Sequence, residues 1–209
     1  MTIQPGMVLR SLSSFRLKKF LSTIAACVCL VSVSGFAQTM FRTVDCTPYD
    51  QQMTCVSSVL NAGTGPRLSR TSLVALNHWM SRLHALPYRY SKRWKTPAEV
   101  QSAKMGDCKG KAVALYEKLR ANGARHVRLV IGQHRAHDLR THAWVEWETR
   151  QGTFLLDPTF NWAAAKTEQQ DQFTYIPFYA YESGRKYRAL NPAQMAPRYS
   201  FSAQVASHE

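Results

Sequence analysis

Two kinds of periodicity follow one another along this chain, and their order is the strongest constraint on its fold. Leu73, Leu76, Met80 and Leu83 recur at three- and four-residue steps, which predicts an amphipathic helix beginning near Thr71 and ending before Pro87. Thr96-Pro97-Ala98-Glu99 reads as a helix start: Thr96 can cap, Pro97 suits the first turn and Glu99 completes a capping box. Gly106-Asp107-Cys108 opens another helix, with Ala112, Leu115, Tyr116 and Leu119 as its apolar stripe and Asn122-Gly123 as its stop. From Val127 the pattern changes. Residues 127–132, 141–148 and 154–157 read as strands, with a turn around Arg150-Gln151-Gly152, and 173–181 reads as a further strand. Helices first and antiparallel strands afterwards argue an α+β fold.

The first 37 residues are expected to stand outside that fold. Arg10, Arg16, Lys18 and Lys19 precede an uncharged apolar run, and Gly35-Phe36-Ala37 places small residues at the two positions a processing site needs. That is the layout of a secretory signal peptide. An uncleaved membrane anchor and lipoprotein processing at Cys27 are the alternatives, although the run is short against the roughly 20 residues of a membrane span. Residues 38–70, broken by Gly63-Thr64-Gly65-Pro66, read as an irregular arm, 71–165 as the core and 166–209 as a C-terminal extension. The chain carries a net charge of +14, and the part after residue 37 keeps 23 basic against 13 acidic residues. Such a surface favours anionic partners: acidic protein, polysaccharide or lipid head groups. No long Lys/Arg block or nucleic-acid-binding motif is present, so nucleic acid is not an expected partner.

Cys46, Cys55 and Cys108 follow the export segment. A bridge between Cys46 and Cys55, across the turn-rich Thr47-Pro48-Tyr49-Asp50, is the expected pairing in an oxidising compartment and leaves Cys108 free. Three unpaired thiols are the alternative.

Cys108 is the sharpest chemical feature. A cysteine in the first turn of a helix sits where backbone N–H groups favour a thiolate, the form that acts as a nucleophile. Its own N–H can point into a developing oxyanion. Asp107 is expected to cap the helix through backbone donors. A cysteine nucleophile needs a base, and a base needs a group that orients it. His142 lies within the strand Thr141-His142-Ala143-Trp144-Val145-Glu146-Trp147, and Asp157 ends the next strand. If these strands form a hairpin turning near Gly152, the two residues are offset by about one or two positions, and a bulge that corrects the face is expected to permit contact. His126, His134, His137 and His142, taken with Cys108, match no standard zinc spacing, so no metal centre is expected. The stretch from His134 to Arg140 reads instead as a polar loop beside the site. Trp144 and Trp147 are expected on opposite faces of their strand.

Together, Gly106-Asp107-Cys108-Lys109-Gly110-Lys111-Ala112, then Thr141-His142-Ala143-Trp144-Val145-Glu146, then Leu155-Leu156-Asp157-Pro158-Thr159 resemble the transglutaminase-like, papain-related superfamily. The resemblance spans about 73–162. It implies a helix that starts at the nucleophilic Cys108 and packs on an antiparallel sheet carrying His142 and Asp157. Leu76-Asn77-His78-Trp79, Pro87-Tyr88-Arg89-Tyr90 and Trp94-Lys95-Thr96-Pro97-Ala98-Glu99 narrow it to bacterial transglutaminase-like cysteine peptidases, which include periplasmic proteases that clip surface adhesins under calcium control. Those proteins carry an acidic residue after the cysteine as well as before it. Here that place is Lys109, which argues against a calcium requirement and against adhesin clipping. The resemblance also makes Trp94 and Asp107 candidates for the substrate or oxyanion site, with core or lid packing as the alternative for Trp94. The function implied is that of an exported cysteine hydrolase, peptidase or amidase, working without a cofactor on a protein or envelope polymer in the periplasm or outside the cell. Transfer to an amine, as in a transglutaminase, and a non-catalytic binding or assembly module are the two alternatives.

Overall fold

A computed structural model of the chain describes residues 40–66, 72–136, 138–170 and 174–190. They belong to one unit, Gly35–Glu209. Residues 1–37, expected to be an export segment, and His137 lie outside the described residues, as does Cys27 with them.

The helices form where their end signals place them. α1 is Ser57–Asn61, α2 is Leu73–His84, α3 is Pro97–Ala103 and α4 is Cys108–Ala121. Ser72 caps α2 by accepting from Ala75 N. Thr96 and Glu99 make the expected reciprocal capping box at α3, with Pro97 in the first turn. The strands are β1 Phe41–Val44, β2 Val127–His134, β3 Thr141–Thr149, β4 Gly152–Leu156, β5 Ala165–Lys166, β6 Tyr175–Glu182 and β7 Arg185–Ala189. They make one seven-stranded sheet in the order β1-β7-β6-β2-β3-β4-β5, and every pairing is antiparallel. The α+β expectation holds.

The sheet reaches beyond the core expected at 71–165. β6 pairs directly with the central β2, and β7 joins it to β1 from the stretch expected to be an irregular arm. The physical reason is edge satisfaction. Without β6, the buried β2 would present unpaired N–H and C=O groups along one side. The arm is also tied down by side chains. Asp50 accepts from Thr47 and pairs with Lys186 Nζ at 2.7 Å, and Thr47 bonds the Tyr181 hydroxyl. These contacts hold the 46–55 turn without a covalent link. Cys46 and Cys55 are exposed free thiols, so the expected bridge is not present. The Cys55 thiol instead donates to Trp94 O at 3.2 Å.

One face of the sheet packs on α4. Leu76, Met80, Leu115, Tyr116 and Leu119 from the helices meet Val127, Leu129, Ala143, Val145 and Leu156, all fully buried or nearly so. Each large aliphatic side chain withdrawn from water here contributes about 1.5–3 kcal/mol. Val130, Trp144, Leu155 and Ala180 form a second cluster on the opposite face, while Trp147 packs on the first, so the two tryptophans part as expected. Buried Lys111 of α4 donates to Leu86 O at 2.8 Å and His84 O at 3.3 Å, which satisfies carbonyls at the end of α2. The Tyr116 hydroxyl accepts from Ser183 N at 3.1 Å, in the turn between β6 and β7. α4 is therefore tied to its surroundings at several levels.

Gly132 is the tightest point of the sheet. The β2–β6 register shifts between Ile131 and Gly132, and a Cβ at 132 would lie 2.2 Å from Ile176 O and 2.6 Å from the Trp144 ring. Gly132 is also the partner of His142 across the β2–β3 ladder. Gly132→Ala is expected to destabilise the protein by about 1–3 kcal/mol through overpacking. Urea denaturation would read this as a lower midpoint with an unchanged slope.

Candidate active site

The site begins with the start of α4. Asp107 is its N-cap, fully buried, and Oδ1 accepts from Gly110 N at 3.0 Å. Oδ2 accepts from Ser91 N at 3.1 Å and pairs with the Lys109 ammonium. Asp107 is thus directed into backbone donors, not toward a substrate. Cys108 is the first helical residue and is 7% exposed. Residues 87–91 run alongside. Tyr88 and Gly106 form an isolated parallel bridge, and Gly106 N donates to Pro87 O at 3.1 Å. That contact sets the Tyr88 phenol near Cys108. Burial, then the charges of Cys108 and Asp107, push its proton affinity up to about 12.

β3 and β4 bring the other two residues together. Val145 pairs with Leu156 and Thr149 with Gly152, so Asp157 falls opposite Trp144 in register and His142 is displaced from it by two. An even offset leaves both side chains on one face, as a diagonal cross-strand pair. No bulge between β3 and β4 is needed. His142 Nε2 donates to Asp157 Oδ2 at 2.7 Å, with the histidine 7% exposed and the aspartate fully buried. Asp157 accepts two further bonds, from Thr159 N at 2.9 Å and from the Tyr175 hydroxyl at 2.9 Å. Since Nε2 is taken, Nδ1 is the imidazole nitrogen left for Cys108.

The electrostatics follow from this geometry. Burial lowers the proton affinity of His142, but the bond to Asp157 and the neighbouring Cys108 outweigh it and push the imidazole up to about 9. Burial alone would raise Asp157, yet the bond and charge of His142, with Thr159 N and Tyr175, hold it below the ordinary carboxylate range. The pair is therefore charged through neutral pH. Its contribution to stability has a definite window. The histidine part is complete below the ordinary value of about 6.5 and is lost as pH rises through about 9. The aspartate part is complete above the ordinary value of 3.8 and is lost as pH falls through the depressed value.

Besides Trp144, whose ring stacks on His142 at 6.1 Å, further residues outside the expected triad surround the imidazole or the thiol. Tyr175 orients Asp157. His134 and Phe160 stack at 4.1 Å between ring centroids, and Phe160 lies 5.0 Å from the His142 ring. Tyr88 stands on the Cys108 side. Phe160 and Tyr88 are half exposed and flank the approach. The sequence signals for them are faint. His134 opens the polar loop, Tyr88 lies in an aromatic, basic stretch, and Tyr175 comes from a chain-distant strand. Burial, then the charge of His142, lowers the proton affinity of His134. His134 and His142 are neighbours at 5.6 Å, while His126 faces Glu182 at 3.7 Å. Among the described residues no group of three or more His, Cys, Asp or Glu could hold a metal ion. Trp94 is 1% exposed and lies in the main core, the packing alternative for that residue; its indole Nε1 is buried with no hydrogen-bond partner among the described residues.

Solved structures of the same architecture supply a comparison. Three structures of Legionella pneumophila LapG superpose on the chain at 16% identity. One matches with a TM-score of 0.51 over 71% of this chain and 84% of the other. An EGTA-treated one matches at 0.51 over 70% and 80%, and a calcium-bound one at 0.50 over 68% and 81%. The likeness shows that the chain shares the fold of these structures. No protein-family model matches the sequence, and no curated relative matches it. Calcium accompanies one of these LapG structures. That ion takes about six to eight oxygen ligands. Around Asp107 of the present chain the one carboxylate already serves Gly110 N, Ser91 N and the Lys109 ammonium. Held by those donors and beside the Lys109 ammonium, this carboxylate is a poor ligand for such an ion.

Asp157→Asn removes the charge that keeps His142 protonated and leaves its burial in place. The imidazole is expected to fall from about 9, because Cys108 alone then opposes desolvation. Titration of the His142 ring protons by NMR would measure it.

Proposed function

We propose that the chain is an exported cysteine hydrolase, a peptidase or amidase, acting through Cys108, His142 and Asp157. The observation that carries the reading is the buried 2.7 Å contact between His142 Nε2 and Asp157, on an imidazole whose remaining nitrogen is left for a cysteine at a helix start. In this mechanism the Cys108 sulfur attacks an amide carbonyl while His142 Nδ1 holds the thiol proton. Asp157 fixes the ring and stabilises its cationic form, as the third member of such triads does. The carbonyl oxygen becomes an oxyanion, and the Cys108 N–H at the free end of α4 donates to it in this mechanism. His142 then passes its proton to the leaving amine, the C–N bond breaks and a thioester remains. Water, deprotonated by His142, releases the acid and restores the thiol. An amine in place of water would give a transglutaminase.

Export rests on the 1–37 segment, and among the described residues no helix is long and apolar enough to cross a membrane. The basic surface favours an acidic protein or an anionic envelope polymer as substrate. Iodoacetamide labelling of Cys108 at neutral pH tests the reading. Labelling is expected to exceed that of a free thiol and to fall by about 100-fold or more in His142→Ala, the scale of a lost general base. A wild-type rate equal to that of a free thiol would instead favour a non-catalytic binding module. Mass spectrometry of envelope extracts treated with wild type or Cys108→Ala then identifies products, and identical spectra would remove the hydrolase.

A further inference from the structure

The ammonium of Lys109 is enclosed by acceptors. Its Nζ donates to Ser91 O at 2.9 Å and pairs with Asp107 Oδ2. It also lies 4.9 Å from the centre of the Tyr90 ring. Its side chain is only 17% exposed, and its carboxylate partner is fully buried. A carbonyl, a carboxylate and an aromatic face are what a cation site offers. Here the cation is the chain's own. The two segments it joins both border the thiol. Ser91 and Tyr90 belong to the stretch whose Tyr88 stands beside Cys108, and Asp107 caps the helix that Cys108 starts.

We propose that the Lys109 ammonium is a built-in cation that clamps residues 88–91 onto the N-terminus of the Cys108 helix, so that the site is assembled without calcium. Three observations meet in this assignment. Asp107 and Lys109 flank Cys108 in sequence, so the backbone they anchor is the backbone that carries the sulfur. The Asp107 carboxylate bonds Ser91 N while Lys109 bonds Ser91 O, so both polar backbone groups of one residue are held by the pair. A divalent ion at this place would meet the ammonium in Coulomb repulsion and find the carboxylate already engaged. Lys109 is thus a positioning residue: it acts on the reaction through the placement of Cys108 and Tyr88. The assignment rests on Cys108 being the nucleophile for its catalytic meaning, but not for its cation chemistry.

The experiment uses purified protein in EGTA and in calcium chloride, with two readouts: the thermal midpoint and the iodoacetamide labelling rate of Cys108. Wild type is expected to give the same values in both buffers. A rise of either with calcium overturns the proposal. Lys109→Met, which keeps the stem and removes the charge, is expected to label roughly tenfold more slowly or worse, as misplacement of a reactive group does. A wild-type labelling rate in that variant overturns the clamp. Lys109→Asp sets a second carboxylate beside Asp107 and Ser91 O. Its labelling is expected to be slow in EGTA and to recover in calcium chloride but not in potassium chloride of equal ionic strength, a rescue that a purely structural lysine would not produce. If wild-type Cys108 labels no faster than a free thiol, the hydrolase reading fails, while the thermal midpoints still judge the cation.

Discussion

A buried imidazole and a buried carboxylate remain charged here chiefly because each is the other's partner. Separately, burial would neutralise both: it pulls His142 down and pushes Asp157 up. Set 2.7 Å apart, they reverse each other's tendency, and Thr159 N and the Tyr175 hydroxyl take up the remaining acceptor capacity of the carboxylate. The rest of the structure is arranged around keeping that contact. The β3–β4 hairpin supplies an even register offset, β6 supplies Tyr175, and Gly132 allows β6 to cross close to the Trp144 ring that stacks beside His142. Loss of any one loosens the pair in a medium where an unpaired charge is expensive.

The second organising element is the start of α4. Unsatisfied N–H groups gather there, and Asp107 answers them with a carboxylate that also reaches Ser91 and Lys109. One buried acid therefore caps a helix, anchors a loop and holds an ammonium. The same residues that make the helix start a favourable place for a negative sulfur also decide which loop stands over it. In this arrangement the placement of Cys108 and of the 88–91 loop are one problem, joined through Asp107 and Lys109.

Local signals are legible wherever a short stretch sets its own conformation. Thr96, Pro97 and Glu99 announce α3, and Asp107 announces α4, because capping needs only residues within one turn. The diagonal relation of His142 and Asp157 is nearly readable, since Gly152 fixes the hairpin and the hairpin fixes the offset. The expected Cys46–Cys55 bridge fails for a contrary reason. Two cysteines close in sequence do not determine where their thiols point, and Cys55 turns to Trp94 O under the pull of tertiary contacts. The arm and the C-terminal extension look peripheral in sequence for a similar reason. A strand that lacks a strong pattern of its own is placed only by the edge it covers.

Residue type and spacing alone settle the α+β order, the helix that starts at Cys108, and the presence of His142 and Asp157 on neighbouring strands. Each depends on interactions between residues a few positions apart, whose energies need no knowledge of the rest of the chain. Packing of the whole molecule decides the remainder. Through it Tyr175 bonds Asp157, Phe160 and His134 lie against the imidazole, Tyr88 stands by the thiol and Lys109 closes on Ser91. Those are contacts between segments far apart in the chain or turned by packing, and their partners are chosen by which sheet edges and helix ends must be satisfied together.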